Sequence, residues 1–456
     1  MRRPGLAMVL GGLAGWSGGL ACPIDGAPAW AEETQTPAAR VLTLAEVERA
    51  AQARQPQLLV ARAATHVAEA QTEQARAPLL PQITGTASYT LETANFQPRP
   101  GVTPSTVTVT TTAGGDFFSK PVSVWNFGLT GTQLVYDFGQ TYERYGAAKR
   151  TVEADRFAEE TTRYTIVSNV RRAYFNARAF KALVGVAKES LDDQDRHLAQ
   201  VQGFVDVGTQ PPIALAQQKA AVANARVQLI TAQNNYETVK AQLNQAAGIV
   251  GGTDYDVSDE ELAPVEDEDQ PLTTLVAKAM ATRPELATLR KERDAEDATL
   301  RAVKGAYGPT LSALAGATYG GEELDQLVPN WSVEGLLTWP IFQGGLTRGQ
   351  VHQAEATLQS IDAQRSLEEL QVQLDVDSAR LAVRAAKATI GASDDALTNA
   401  REQLRLAEQR YATGVGSIIE LNDAQVAYTT AAAQVIQARY GLASARAQLL
   451  AALGRT

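Results

Sequence analysis

The sequence predicts a mostly α-helical fold with a β-barrel portion, built from two copies of one unit. The duplication is the first observation. Three residues recur 228 positions later in the chain: Pro56 as Pro284, Leu58 as Leu286 and Pro81 as Pro309. Four more recur 206 positions later: Trp125 as Trp331, Gly139 as Gly345, Gly208 as Gly414 and Gly248 as Gly454. Self-similarity over such a distance indicates a repeated structural unit. The difference of 22 residues between the two spacings indicates a longer loop in the first copy.

Two long segments without proline are the second observation. Thr141–Phe204 and Leu346–Arg410 contain 64 and 65 residues, so each predicts a helix of roughly 97 Å at about 1.5 Å per residue. Shorter helices are expected on either side of each. We therefore expect each copy to form a rod, with one long helix beside two short helices stacked end to end. Leucines with heptad spacing predict its coiled-coil seam: Leu367, Leu370, Leu374 and Leu381.

Alternating polar and apolar residues are the third observation. Every second residue of Ile83–Leu91 is apolar or small, over a length close to the roughly 9–11 residues of a membrane-spanning strand. For a single hairpin, a soluble sheet with one wet face is the alternative. The pattern returns three more times, and four such strands favour a barrel with aromatic side chains at the membrane interfaces. The candidate interface aromatics are Tyr89, Trp125, Trp331 and Trp339.

The predicted segments can be placed in chain order. Residues 1–31 have the form of a secretory signal peptide, with a basic start, an apolar run and an Ala-Trp-Ala cleavage site. Cys22, the only cysteine, is an alternative lipidation site. A solvated linker, or a short structure that belts the rod, is expected in the acidic stretch 249–270. The first repeat, 32–248, contains a helix 44–79, a hairpin about 81–139, a long helix 141–204 and a short helix 214–247. The second, 271–456, contains a helix, a hairpin about 309–343, a long helix 346–410 and a short helix 418–453.

Composition and motifs exclude several classes of function. The formal net charge is −10, which argues against nucleic-acid binding because that relies on Lys and Arg at the phosphates. The histidines His66, His197 and His352 lie in three separate helical stretches without the spacing of metal ligands. We interpret them as residues of helix surfaces, and we expect no catalytic residues, no metal and no cofactor. The sequence therefore predicts a passive conduit rather than an enzyme.

The order of these elements, duplicated behind a signal peptide, resembles the TolC-type outer-membrane efflux proteins, also called outer membrane factors. Local motifs agree with the resemblance: Leu42-Thr43-Leu44-Ala45-Glu46, Leu79-Leu80-Pro81, Tyr136-Asp137-Phe138-Gly139 and Ile341-Phe342-Gln343-Gly344-Gly345. The resemblance implies a homotrimer in the outer membrane. Four strands from each chain would close a twelve-stranded barrel, and the helices would form a periplasmic tunnel.

The resemblance also implies roles for residues at the second helix-to-helix turn. Tyr411 matches the family position that latches neighbouring helices at the closed periplasmic tip. Glu420 and Asp423 match two acidic positions that point into the pore, where three chains would form an acidic ring at the constriction. The first copy has Ala214 and Gln217 at the matching places, so only the second copy would supply the charge. The alternative is that acidic residues in a first helical turn are simply solvated and favoured by the helix dipole.

The two turns themselves resemble the family's contact site for a periplasmic adaptor protein, also called a membrane-fusion protein. The residues concerned are Val207, Gly208, Thr209, Gly414, Val415 and Gly416. The alternative is that these residues only reverse the direction of the chain. We therefore expect an exit duct for a tripartite efflux pump or a type I secretion system, in contact with outer-membrane lipid and energised by an inner-membrane transporter of the RND or ABC type. The alternative is a soluble periplasmic coiled-coil adaptor or scaffold. The cargo, the transporter and the resting state stay open.

Overall fold

The structure is a computed structural model that describes residues 40–93, 121–260 and 263–455. The signal peptide, Cys22 and the long loop of the first hairpin lie outside these residues. The first repeat contains β1 (Arg40–Leu42), α1 (Leu44–Arg54), α2 (Pro56–Arg76), β2 (Gln82–Thr93), β3 (Pro121–Tyr136), α3 (Gln140–Asp206) and α4 (Pro212–Ala247). The remainder contains β4 (Tyr255–Val257), α5 (Leu272–Thr282), α6 (Pro284–Gly305), β5 (Thr310–Gly321), β6 (Val328–Thr338), α7 (Leu346–Ala412) and α8 (Ile418–Ala452). The predicted mostly helical fold class is confirmed.

The first helix of each repeat is broken in two by proline. The expected helix 44–79 is wrong as one element, because it ends as α1 at Arg54 and restarts as α2 at Pro56. Gln55 between them is extended, with φ −64° and ψ 119°. A residue before proline disfavours helical geometry, whereas proline itself fits the first position of a helix. Pro284 produces the same break between α5 and α6, so the recurring prolines mark equivalent kinks in the two repeats.

The four long strands form one antiparallel sheet in the order β2-β3-β5-β6. Each repeat contributes one hairpin, and the hairpins join where β3 pairs with β5. The pairing is continuous across the sheet: Tyr89 lies opposite Trp125, and Trp125 lies opposite Gly321. Within the described residues, β2 and β6 each have a strand neighbour on one side only. The sheet of one chain is therefore open at both edges.

The helices lie side by side in a fixed order. In the half next to the sheet, α3 packs between α2 and α6, and α6 packs against α7. In the other half, α3 packs between α4 and α8, and α8 packs against α7. Both α3 and α7 contain 67 residues, and each lies beside two shorter helices, as the sequence predicted. The stack of α2 and α4 is thus one edge of the helical layer, and α7 is the other.

The predicted leucine seam does not face the chain's own rod. Side chains of α7 that are fully buried are Val372, Val376, Ala379 and Val383, which pack in one cluster with Leu286 and Leu449. The predicted set is exposed instead: Leu367 by 67%, Leu370 by 66%, Leu374 by 60% and Leu381 by 51%. The prediction was wrong because smaller β-branched and alanine residues fill the closely packed face toward α6 and α8. The leucines are left on the edge face of α7.

The acidic segment between the repeats is a belt rather than a solvated linker. Its strand β4 pairs with β1, and Tyr255, Val257 and Val265 are buried. The carboxylate of Glu268 accepts hydrogen bonds at 2.9 and 3.0 Å from Arg446 of α8. Burial alone would raise the pKa of Glu268, but hydrogen bonds from Arg446 and Lys387 outweigh it and lower the pKa to about 2. The Glu268 carboxylate therefore holds this segment against α8 through Arg446 and against α7 through Lys387.

Within the described ranges, none of the helices combines the length and the apolar character that a membrane span requires.

Candidate functional site

The two helix-to-helix turns have the same backbone geometry. Gly208 and Gly414 both have φ +78°, a region that residues with a side chain rarely adopt. The amides of the two residues after each glycine donate to one carbonyl oxygen of the preceding helix. That acceptor is Phe204 in the first turn, at 2.9 and 3.2 Å, and Arg410 in the second, at 3.0 and 2.9 Å. Because residues 206 apart make the same bonds, the duplication holds at the level of single hydrogen bonds.

The ends of both turns are open to solvent. Val207 is 73% exposed and Val415 is 72% exposed, and an added Cβ at Gly208 or Gly414 would meet no atom within 4 Å. Thr209 serves the turn itself, because its hydroxyl donates to the carbonyl oxygen of Phe204 at 2.9 Å. The two tips therefore present a glycine and an exposed valine side by side, with room for a partner.

Gly416 has a different role from the two tip glycines. A Cβ at this position would lie 2.9 Å from the backbone nitrogen of Tyr411, closer than packed atoms approach. Glycine is thus required here because the chain runs directly against the end of α7. Gly416 is also less accessible to a partner than the two tip valines are.

The acidic candidates follow the second helix-to-helix turn, with Glu420 in the first turn of α8 and Asp423 just beyond it. Ser417 caps this helix, since its hydroxyl accepts a hydrogen bond from the Glu420 amide at 3.1 Å. The Glu420 carboxylate lies 3.3 Å from Nε of Arg410, and both side chains are about half exposed. Asp423 is exposed and lies three residues further along the helix. Sequence reasoning missed Arg410, although a basic residue in the last turn of a long helix is a recognisable signal.

Tyr411 lies inside the chain at the point where the two repeats meet. Its side chain is 1% exposed, and its ring lies 5.9 Å from that of Phe204 at the end of α3. The hydroxyl has no hydrogen-bond partner among the residues that the structure describes, and burial raises the pKa of Tyr411. The contact between the two turns is therefore made by packed rings, not by a polar bond.

A polar seam continues from these rings along α3. Gln425 of α8 donates to the Asp193 carboxylate at 3.1 Å. The hydroxyl of Tyr428 donates to Glu189 at 3.2 Å, and Gln218 of α4 donates to the side-chain oxygen of Gln194 at 2.6 Å. Polar residues three or four apart share one face of a helix, but their spacing does not indicate which helix that face contacts.

His197 belongs to this seam, which makes its interpretation as a surface residue wrong. It is 7% exposed, because α4, α7 and α8 surround α3 at this level. Its Nε2 lies 3.7 Å from the Glu408 carboxylate of α7. His66 and His352 are exposed, as expected.

The candidate interface aromatics lie near the two ends of the sheet. Tyr89 and Trp125 face each other across β2 and β3 with ring centroids 4.6 Å apart. Trp331 lies near the loop end of β6 and is 78% exposed. Trp339 follows the other end of β6, where its indole nitrogen donates to the Tyr307 carbonyl at 3.2 Å. Three of the four thus lie toward the loops, and one lies toward the helices.

Comparison with protein families decides what this architecture is. The family model described as "Outer membrane efflux protein" matches residues 47–249 and 275–455. The chain belongs to this family. The two matched stretches coincide with the two structural repeats, so each repeat of this outer membrane efflux protein carries the family pattern.

Named relatives and solved structures agree with this membership. The chain is 26% identical over 364 residues to the toluene efflux pump outer membrane protein TtgF of Pseudomonas putida, which covers 73% of this chain and 72% of the relative. It is 23% identical to the outer membrane protein TolC of Escherichia coli, over 90% of this chain and 82% of TolC. The Campylobacter jejuni CmeC outer membrane channel has the same fold, with a TM-score of 0.76, 19% identity and coverage of 96% and 94%.

Family membership fixes the broad function of this outer membrane efflux protein. It is located in the outer membrane and belongs to a group of efflux channels, not of enzymes. The alternative of a soluble periplasmic adaptor is not favoured, since the match includes both strand hairpins as well as the helices.

Proposed function

We propose that three copies of this chain form the exit duct from the periplasm to the cell exterior in a tripartite efflux pump or a type I secretion system. The observation that carries this proposal is the open sheet, in which, among the described residues, β2 and β6 each lack a strand neighbour on one side. Open strand edges do not occur in lipid, and small single-chain barrels have about eight strands. Four strands from each of three copies would give a closed barrel of twelve.

The helical edges support the same assembly. The edge helix α7 presents Leu367, Leu370 and Leu374 to solvent in a single chain. The opposite edge presents Val60 and Val67 of α2, which are 69% and 57% exposed. If the helical order closes into a ring, α7 of one copy meets α2 and α4 of the next, and both apolar faces become covered. In this arrangement the helices form a tunnel on the periplasmic side of the barrel.

We propose that the tip formed by both turns is the periplasmic gate. Glu420 and Asp423 would contribute six carboxylates from three copies to a narrow entrance, which favours cations and allows block by polyvalent cations. Tyr411 would act as the latch by holding the second turn against Phe204. The double variant Glu420→Ala/Asp423→Ala should conduct without divalent block, whereas unchanged block in single-channel recordings would contradict the acidic ring.

Two kinds of partner, a periplasmic adaptor and an inner-membrane transporter, are proposed from the exposed turns and from the sequence motifs. The sequence contains no nucleotide-binding motif, so transport must be energised elsewhere, by an inner-membrane transporter of the RND or ABC type. The open surfaces at Val207, Gly208, Val415 and Gly414 would receive the hairpin tips of a periplasmic adaptor. The relative named as a toluene efflux pump component supports efflux of small apolar compounds over protein secretion.

Fractionation and conductance test the proposed duct together. We expect heat-modifiable trimers in the outer-membrane fraction, and discrete ion-conducting steps after purified trimers are added to a planar lipid bilayer. Recovery of the protein as a soluble periplasmic monomer, or a trimer without conductance, would contradict the proposal.

A further inference from the structure

His197 is a buried titratable residue between the two repeats. It lies on α3 of the first repeat, whereas its nearest charged neighbour, Glu408, lies on α7 of the second. Among the described residues, its Nε2 has no hydrogen-bond partner. Glu408 comes three residues before Tyr411 in the sequence, so the pair lies about one helical turn from the contact between Tyr411 and Phe204. A change in the charge of His197 therefore acts next to the contact that joins the two turns.

The charges that act on His197 are few. Glu408 on α7 and Asp193 on α3 favour the protonated imidazole, and Arg196 on α3 opposes it. Within the part of the chain that the structure describes, these three charges are the ones that act on the ring, and α4 and α8 add the neutral amides of Gln218 and Gln425 to the same seam. Burial is the largest effect and lowers the pKa of His197 below its ordinary value of 6.5. The carboxylates only partly offset it.

The direction of this shift determines how acid acts on the seam. A histidine whose pKa is lower in the packed state binds its proton more weakly there than in a state where the ring is in water. The neutral ring stabilises the packed seam at high pH, and that stability is lost as the pH falls through the range where histidine titrates. Each unit of difference in pKa between the two states changes their ratio tenfold per chain.

We propose that His197 is a proton-operated release at the tip: protonation of its ring loosens α3 from α7 and opens the periplasmic entrance in mildly acidic medium. This inference rests on the proposed duct and adds its regulation. The imidazolium would gain water as the seam separates, while Glu408 sets the pH at which the release occurs.

The test is single-channel recording of purified trimers at fixed salt between about pH 7.5 and 5.5, the range in which histidine titrates. The wild-type open probability should rise several-fold as the pH falls. His197→Gln removes the titration and should give a flat pH profile. Glu408→Gln removes a group that favours protonation, so its rise should move to lower pH. His66→Gln, at an exposed histidine of α2, is the matched control and should keep the wild-type profile.

The outcomes separate this inference from the proposed duct. If His197→Gln trimers keep the wild-type pH profile, or if the wild type has no pH dependence while its divalent block persists, the release is wrong and the duct stands. If no wild-type trimer conducts, the duct itself is wrong. If His197→Gln fails to form heat-modifiable trimers, the pH profile of Glu408→Gln tests the release instead. A profile shifted to lower pH than that of the wild type supports the release, and an unshifted profile overturns it.

Discussion

Arg410 and Glu420 form an ion pair across the second turn, with 3.3 Å between the guanidinium Nε and the carboxylate oxygen. The pair joins the last turn of α7 to the first turn of α8. It places a positive charge beside one of the two carboxylates proposed to line the entrance. The effective charge of that entrance therefore depends on a residue outside the acidic pair.

Removal of this positive charge should strengthen the acidic ring. In Arg410→Gln we expect higher cation selectivity and divalent block at several-fold lower concentration, measured in planar bilayers. Folding should change by less than about 0.5 kcal/mol, since exposed ion pairs contribute little. Arg405→Gln is the control, because Arg405 pairs with Glu402 on its own helix. Weaker or unchanged block in Arg410→Gln would mean that Glu420 does not face the conduction path.

Substitution of the tip glycines should separate adaptor binding from assembly. Gly208→Val and Gly414→Val put a branched side chain at φ +78°, which costs about 1–3 kcal/mol in local strain and covers the open tip surface. We expect normal heat-modifiable trimers and loss of crosslinking to the adaptor. Gly203→Ala is the control: Gly203 immediately precedes Phe204 in the same helix end, an added Cβ there would meet no atom within 4 Å, and the variant should crosslink normally. Normal crosslinking of both valine variants would refute adaptor contact at the turns.

Tyr411 should act through its ring and not through its hydroxyl. The hydroxyl is buried without a partner among the described residues, so Tyr411→Phe should keep the stability within about 1 kcal/mol and keep the wild-type conductance. Tyr411→Ala opens a cavity against Phe204 and should cost about 3–5 kcal/mol, with a raised open probability. Urea unfolding and single-channel recording measure the two effects. A high-conductance Tyr411→Phe channel would instead assign the latch to the hydroxyl.

Glu268 should stabilise the belt in a pH-dependent way. Its pKa is lowered from 4.5 to about 2, so its contribution is fully present above pH 4.5 and is lost as the pH falls toward 2. We expect Glu268→Gln to lower the free energy of unfolding by about 3 kcal/mol at neutral pH. Thermal unfolding should show that the difference in stability between Glu268→Gln and the wild type becomes smaller in acid. Asp269→Asn, at an exposed carboxylate that also contacts Lys387, is the control, and an equal loss there would contradict the assignment to Glu268.

The elements that the sequence predicted well are those in which local pattern and packing agree. Alternation located β2 and β5 closely, because side-chain period and sheet face coincide. The leucine seam failed because heptad spacing identifies an apolar stripe without saying which helix covers it. Here Val376 faces the chain's own α6 and α8, while Leu370 lies on the outer edge.

The candidate site was predictable where it lies within one turn, and not where it joins distant segments. Gly414, Tyr411 and Glu420 could be located from one short motif. The contacts of His197 with Glu408 and of Gln425 with Asp193 join residues more than 200 positions apart. A single sequence carries no signal for such pairs, and histidine is intermediate between buried and exposed residue types, so its identity alone does not locate it.

The pairing of β3 with β5 governs how this chain can fold. Trp125 can meet Gly321 only after synthesis has passed into the second repeat, and contacts of such sequence separation form late and slowly. Until then the first hairpin has an uncovered apolar face and free strand edges, which favours aggregation. The faces of α3 that pack against α6 and α8 are likewise uncovered until those helices of the second repeat have been made. A chain that stops after the first repeat should therefore be a substrate for chaperones and proteases, not half of a working channel.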